Sequence, residues 1–171
     1  MYVTSGDDRV LALDKNGDVI LDSGRQEGLD AGGGTFAPDG RYCVTLRRRG
    51  TILALPPRLD AEGEPLLADS AVPFPRGFGF GDGGQLYLSS GIGPSGEGDN
   101  TISTFDRDGR LRNAQLVSDP ELSPLDLAIA PGGNLVASSE WPFGSPSAAA
   151  TIREYDASTG RLVRVLASDR P

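Results

Sequence analysis

The residues with most chemistry to offer stand in two loops. GIGPSGEGDN (91–100) carries Glu97, Asp99 and Asn100, and WPFGSPSAAA (141–150) follows Glu140 and opens on Trp141. An oxygen-rich loop of the first kind suits Ca²⁺ or a similar hard cation. Its spacing is not that of an EF-hand, so a solvated acidic turn is the plainer reading of Glu97 and Asp99. Trp141 either stacks on a sugar or peptide or folds down over the strands beneath it. Asp126 stands where related segments carry Gly77 and Gly33. There it is either a ligand-facing acceptor, a metal ligand, or a group bonded to nearby backbone amides. Arg76 is the cation expected beside these residues.

Much other chemistry is excluded. The chain has no histidine, which removes Ser-His-Asp and Cys-His catalysis, histidine-ligated zinc and a histidine proton switch. Ser89-Ser90 and Ser138-Ser139 have no neighbouring base and read as strand-end residues. GIGPSGEG lacks the lysine and following helix of a phosphate loop. Cys43 is alone, so no intrachain disulfide forms. A net charge of -8 argues against nucleic acid; the basic run Arg47-Arg48-Arg49 reads as a solvated strand end. No apolar stretch approaches a membrane span, and MYVTSGDDRV shows no secretory leader, which points to the cytoplasm.

Short strands must position these residues. The 171 residues include 24 Gly and 13 Pro, a load that forbids long helices. Four segments open a strand alike: RVLALD at Arg9, TILALP at Thr51, TISTFD at Thr101 and TIREYD at Thr151, spaced 42, 50 and 50 residues apart. That is the period of propeller blades. Glycine turns follow three of them, at Gly17, Gly109 and Gly160. Upstream lie second hairpins, GTFAPDGRYCVT, FGFGDGGQLYLS and LAIAPGGNLVAS, whose first strands carry small residues (Gly77, Gly79, Gly81; Ala128, Ala130) where blades would converge. Phe78, Phe80, Leu125, Leu127 and Ile129 would pack between blades.

The expected fold is all-β: one propeller domain over 1–171, built of four-stranded antiparallel blades. Blade 1 is partial (2–27) and lacks its innermost strand. Blade 2 spans about 29–71, blade 3 about 72–119 and blade 4 about 120–169, giving about three and three-quarter blades. Loops 91–100 and 140–150 fall on one face, with Arg76, Asp99, Asn100, Asp126, Glu140 and Trp141.

PLDLAIAPGGNLVASS with TIREYDASTGRLVRVL, and likewise FAPDGRYCVT and GFGDGGQLYLSSG, resembles the NHL-repeat, SMP-30/gluconolactonase and TolB-like group of six-bladed propellers. The SMP-30 resemblance implies a divalent metal held by a Glu, an Asn and an Asp at the channel mouth, for which Glu140, Asn100 and Asp126 have the right types. Such a metal would polarise a lactone carbonyl and activate water. Three functions follow. The first is a non-catalytic scaffold, with no cofactor, binding a peptide, glycan or small molecule on the loop face. The second is a metal-dependent lactonase-like hydrolase. The third is a half propeller that associates with itself as a homodimer completing the ring.

Overall fold

A computed structural model describes residues 1–5, 8–25, 30–61, 63–68, 71–91, 99–140 and 149–169. Among these residues fifteen strands form four antiparallel sheets in chain order. The first holds β1 (Tyr2–Ser5), β2 (Arg9–Leu13) and β3 (Val19–Asp22). The second holds β4 (Ala31–Phe36), β5 (Tyr42–Leu46), β6 (Thr51–Leu55) and β7 (Glu64–Pro65). The third holds β8 (Pro75–Phe80), β9 (Leu86–Ser90), β10 (Thr101–Phe105) and β11 (Leu111–Ser118). The fourth holds β12 (Pro124–Ile129), β13 (Leu135–Ser139), β14 (Thr151–Tyr155) and β15 (Leu162–Ser168). Among the described residues no α-helix forms, and so none crosses a membrane.

The sheets are blades because their cores lie between them. Val10, Tyr42, Val44, Leu53 and Leu55 join the first sheet to the second. Cys43, Ile52, Phe78, Leu86, Leu88 and Phe105 join the second to the third. Tyr87, Ile102, Val117, Leu127, Leu135 and Tyr155 join the third to the fourth. Alternation explains this: neighbouring residues of a strand point to opposite faces, so each middle blade feeds two cores. The innermost strands β4, β8 and β12 run side by side, and β1 borders β4 as β5 borders β8 and β9 borders β12. The architecture is a partial propeller.

One repeated device closes the outer hairpins. The aspartate ending RVLALD, TISTFD and TIREYD folds its carboxylate over the turn. Asp14 Oδ1 accepts from the N–H groups of Asn16 and Asp18, Asp106 Oδ1 from Asp108 and Arg110, and Asp156 Oδ1 from Ser158 and Thr159. Hydroxyl donors from Ser158 and Thr159 complete the Asp156 site and hold its carboxyl down at about 2. In the second blade Pro56 takes the aspartate's place, the connection lengthens, and Leu59 adopts a φ of 55°.

Candidate functional site

The upper face is the end of each blade where the inner strand starts. On that end every four-stranded blade carries the same irregularity. β4 places Gly32 and Gly33 opposite Thr45 alone; β8 places Arg76 and Gly77 opposite Ser89 alone; in β12 Leu125 is the extra residue before Asp126 pairs with Ser138. These are β-bulges, which bend a strand and re-aim a side chain. A hydroxyl at one repeating position latches each. Thr45 Oγ1 reaches Gly33 O at 3.3 Å and Arg76 O at 2.8 Å. Ser89 Oγ donates to Gly77 O at 2.8 Å, and Ser138 Oγ accepts from the Asp126 N–H at 3.1 Å. The expected strand-end role of the serines thus has a physical content: these hydroxyls are committed to bulge backbone.

The bulge sends Arg76 across the upper face. Its guanidinium lies 5.4 Å from the centre of the Phe74 ring and pairs with Glu140 Oε1 of the next blade at 3.2 Å. Gly91 leaves room for it: a Cβ there would come within 2.7 Å of Arg76 Nε. From the other side Arg47 approaches the same ring at 5.8 Å and pairs with Asp30 at 2.7 Å. Asp30 also meets Arg48 at 3.4 Å, and its N–H donates to Asp8 Oδ1. A continuous run from Asp8 through Asp30, Arg47, Phe74 and Arg76 to Glu140 therefore crosses all four blades. Each cation–ring contact is worth about 0.5–1 kcal/mol at such exposure. Arg47 and Arg48 are thus paired, where the basic run was expected to be simply solvated.

Backbone strain gathers on the same face. Among the described residues five non-glycines have positive φ, and four of them, Asp8 (65°), Asp30 (35°), Phe74 (43°) and Asn100 (55°), stand here. Such conformations cost of order 1–3 kcal/mol each and concentrate at functional sites.

The sequence-predicted residues divide. Arg76 and Glu140 meet. Asp99 and Asn100 lie at the start of β10; Asp99 Oδ1 accepts from Thr101 Oγ1 at 2.7 Å, while Asn100 Oδ1 is buried and accepts from no described residue. Trp141 and Glu97 lie outside the described residues, as does most of both loops.

Of the three roles expected for Asp126, the structure shows the bond to a backbone amide, made in an exposed rather than a crowded setting. Gly77 and Gly33 are glycines because the next blade's backbone abuts them: a Cβ on Gly77 would strike Asp126 and come 2.7 Å from Leu127 N, and one on Gly33 would lie 3.1 Å from Arg76 O. β12 has no described blade beyond it, so Asp126 is exposed and bends back to accept its neighbour Leu127's N–H at 2.8 Å. Leu125, expected between blades, is the bulged residue and is 38% exposed. Phe74, Arg47 and Asp30 were missed. The flanking prolines of Pro73-Phe74-Pro75 were the available signal for an ordered ring at a blade junction.

The residues fit the implied metal poorly. Of the implied set, Glu140 is spent on Arg76 and Asp126 on its own strand, while Asn100 Oδ1 is buried with no described partner; neighbouring Asp99 is spent on Thr101. Among the described residues no three such side chains stand together to share a cation. The lone thiol is not an activated nucleophile: Cys43 is buried, and burial pushes it up to about 11.

Four blades and a bulged upper face define a β-propeller segment, and comparison with known proteins agrees at that level. No family model matches the sequence, and no curated protein matches it. Solved structures do. A catalytically inactive variant of virginiamycin B lyase from Staphylococcus aureus, bound to quinupristin, is similar with a TM-score of 0.67 at 14% identity, over 99% of this chain and 55% of that one. A gluconolactonase from Xanthomonas campestris is similar with a TM-score of 0.66 at 24% identity, over 92% of this chain and 54% of that one. A protein of unknown function from Bacteroides caccae gives 0.61 at 14%, over 94% and 54%. The likeness is one of fold. The chain spans about half the length of these structures.

Proposed function

We propose that this propeller segment is a binding scaffold that takes a peptide, glycan or small molecule on its upper face around Arg76 and Phe74. The observation that carries the reading is the run of paired charges and one aromatic ring across four blades, held by strained backbone. Asn100 Oδ1, a buried acceptor at the start of β10, would gain from a ligand's donor. A scaffold role is favoured over hydrolysis because the strand-end hydroxyls of Ser89 and Ser138 are engaged by bulge backbone, the Cys43 thiol is buried, and Glu140, Asp99 and Asp126 already have partners. Screening the chain on immobilised glycans and short peptides tests the reading. Arg76→Ala and Phe74→Ala are each expected to weaken a hit about tenfold or more, the scale of an interface hot spot. Hits that both variants retain in full would place binding elsewhere.

A second reading, self-association, has its own support. The fourth blade leaves Ile152, Val163 and Val165 40%, 51% and 48% exposed, and the first blade leaves Val19 and Ile20 55% and 60% exposed. The two ends are also complementary at the axis. Asp126 occupies the position where another inner strand would press, and the first blade has no inner strand to press there. Two copies packed fourth blade to first would close a ring about a two-fold axis. Light scattering is expected to give twice the 17.9 kDa chain mass, and Ile152→Glu to lower it. A monomer at high micromolar concentration would reject this reading.

A further inference from the structure

The second candidate site lies on the opposite face. The inner turn of the second blade (37–41), the inner turn of the third (81–84) and its outer turn (106–109) enclose a cavity of about 550 Å³. Ligand sites for small molecules run roughly 300–1,000 Å³. Its floor is the edge of the core between these blades: Leu67 and Leu86 are buried, and Leu66 and Phe80 are half-buried and turn apolar surface into the opening. The lip is left open because Gly83 and Gly84 take φ of 73° and 81°, and space beside Gly83 is empty.

The charges around this cavity are unequal in their commitments. Arg41 is held by Asp39 at 2.8 Å and Glu64 at 3.2 Å. Asp106 accepts two backbone N–H bonds and pairs with Arg112 at 3.1 Å. Arg107 differs: it is 79% exposed, and its nearest carboxylate is the adjacent Asp108 at 3.7 Å. A second cleft of about 480 Å³ shares Arg107 with this cavity, so its guanidinium borders both. Asp82 is exposed on the glycine lip and repels an anion from that side. A ligand with a carboxylate is therefore oriented, its acid at Arg107 and its body over Phe80 and Leu66.

From this placement we propose that the lower-face cavity is a binding site for small amphipathic carboxylates, with an aromatic or aliphatic body in the chamber and the carboxylate on Arg107. This site is separate from the upper face and stands or falls independently of it.

Titrating ¹⁵N-labelled chain with 2-naphthoate tests the proposal, with 2-naphthylmethylamine and 2-naphthalenemethanol as cationic and neutral comparators. Saturable amide shifts are expected at Gly83, Gly84, Arg107 and Gly109. Naphthoate should bind about tenfold more tightly than the amine, the scale of one charge-assisted contact. Arg107→Glu should remove that preference while changing affinity for the neutral alcohol less than about twofold; as an exposed side chain it can be exchanged without disturbing the core. The proposal is overturned if the amine binds as well as the acid, if Arg107→Glu leaves naphthoate unaffected, if the shifts map to the open face of the fourth blade, or if no saturable shift is reached in the millimolar range.

Discussion

Arg153→Ala is expected to destabilise the chain by about 3–5 kcal/mol, the cost of breaking a buried ion pair from one side. The Arg153 side chain is 7% exposed in the third–fourth blade interface. It donates to Asp119 Oδ2 at 2.7 Å, to Glu121 Oε2 at 2.8 Å and to Thr151 Oγ1 at 3.0 Å. Tyr155, fully buried, donates its hydroxyl to the same Asp119 oxygen. Burial alone would lower the guanidinium's pKa; the Glu121 hydrogen bond and the Asp119 charge outweigh it and raise it. The Tyr155 phenol is pushed up by burial, with the Asp119 charge adding to it. Truncating Arg153 would strand Asp119, 18% exposed, beside that phenol. The cluster pins the connection that delivers the chain into the fourth blade, so its loss should loosen that blade first. Urea denaturation measures the effect. Glu121→Ala, at a side chain 76% exposed, should cost less than about 1 kcal/mol. Removing Asp119 together with Arg153 should recover part of the loss. A cost below about 1 kcal/mol for Arg153→Ala would show that the cluster is peripheral.

The second large effect belongs to Gly77. Adding one methyl at this position is expected to cost about 1–3 kcal/mol, as overpacking does in a close-packed interior. The methyl would meet backbone, at Asp126 and Leu127, and backbone cannot rotate aside. The paired control is Asp126→Ala, the same alignment position one blade later, where the change should stay within about 0.5 kcal/mol. Calorimetry of both variants distinguishes the explanations. If the two cost the same, the glycine is not required by the neighbouring blade. Since Gly77 follows Arg76 in one bulge, Gly77→Ala should also weaken any upper-face ligand.

These two residues mark what could be read from sequence. Alternation along RVLALD, TILALP, TISTFD and TIREYD, with glycine where turns need positive φ, was enough for strands, blades and their number, because those features depend on residues close in the chain. The alignment that set Asp126 beside Gly77 was also sound. It could not tell that no described blade packs against β12, which leaves Asp126 exposed where Gly77 is abutted. The Arg76–Glu140 pair spans 64 residues, and the ring joining Arg76 to Arg47 sits in a connection with no repeat of its own. Such contacts arise from how blades are stacked. The bulges were hidden for a related reason: a bulge is a mismatch between two strands and leaves no signature in either one.

The repeated bulge makes the upper face modular. In three successive blades its extra position is filled by Gly32, Arg76 and Leu125: nothing, a cation and an aliphatic group. Because the hydroxyl of Ser89 or Ser138 fixes the bulge backbone in the third and fourth blades, the side chain displayed at 76 or 125 can change while strand register and the cores between blades stay as they are. Recognition and folding are thereby written at different addresses in the same repeat. A library varied only at 76 and 125 would alter what the face presents while leaving the propeller its structural residues, whereas a Cβ at Gly32 would come 2.5 Å from the latching Thr45 Oγ1.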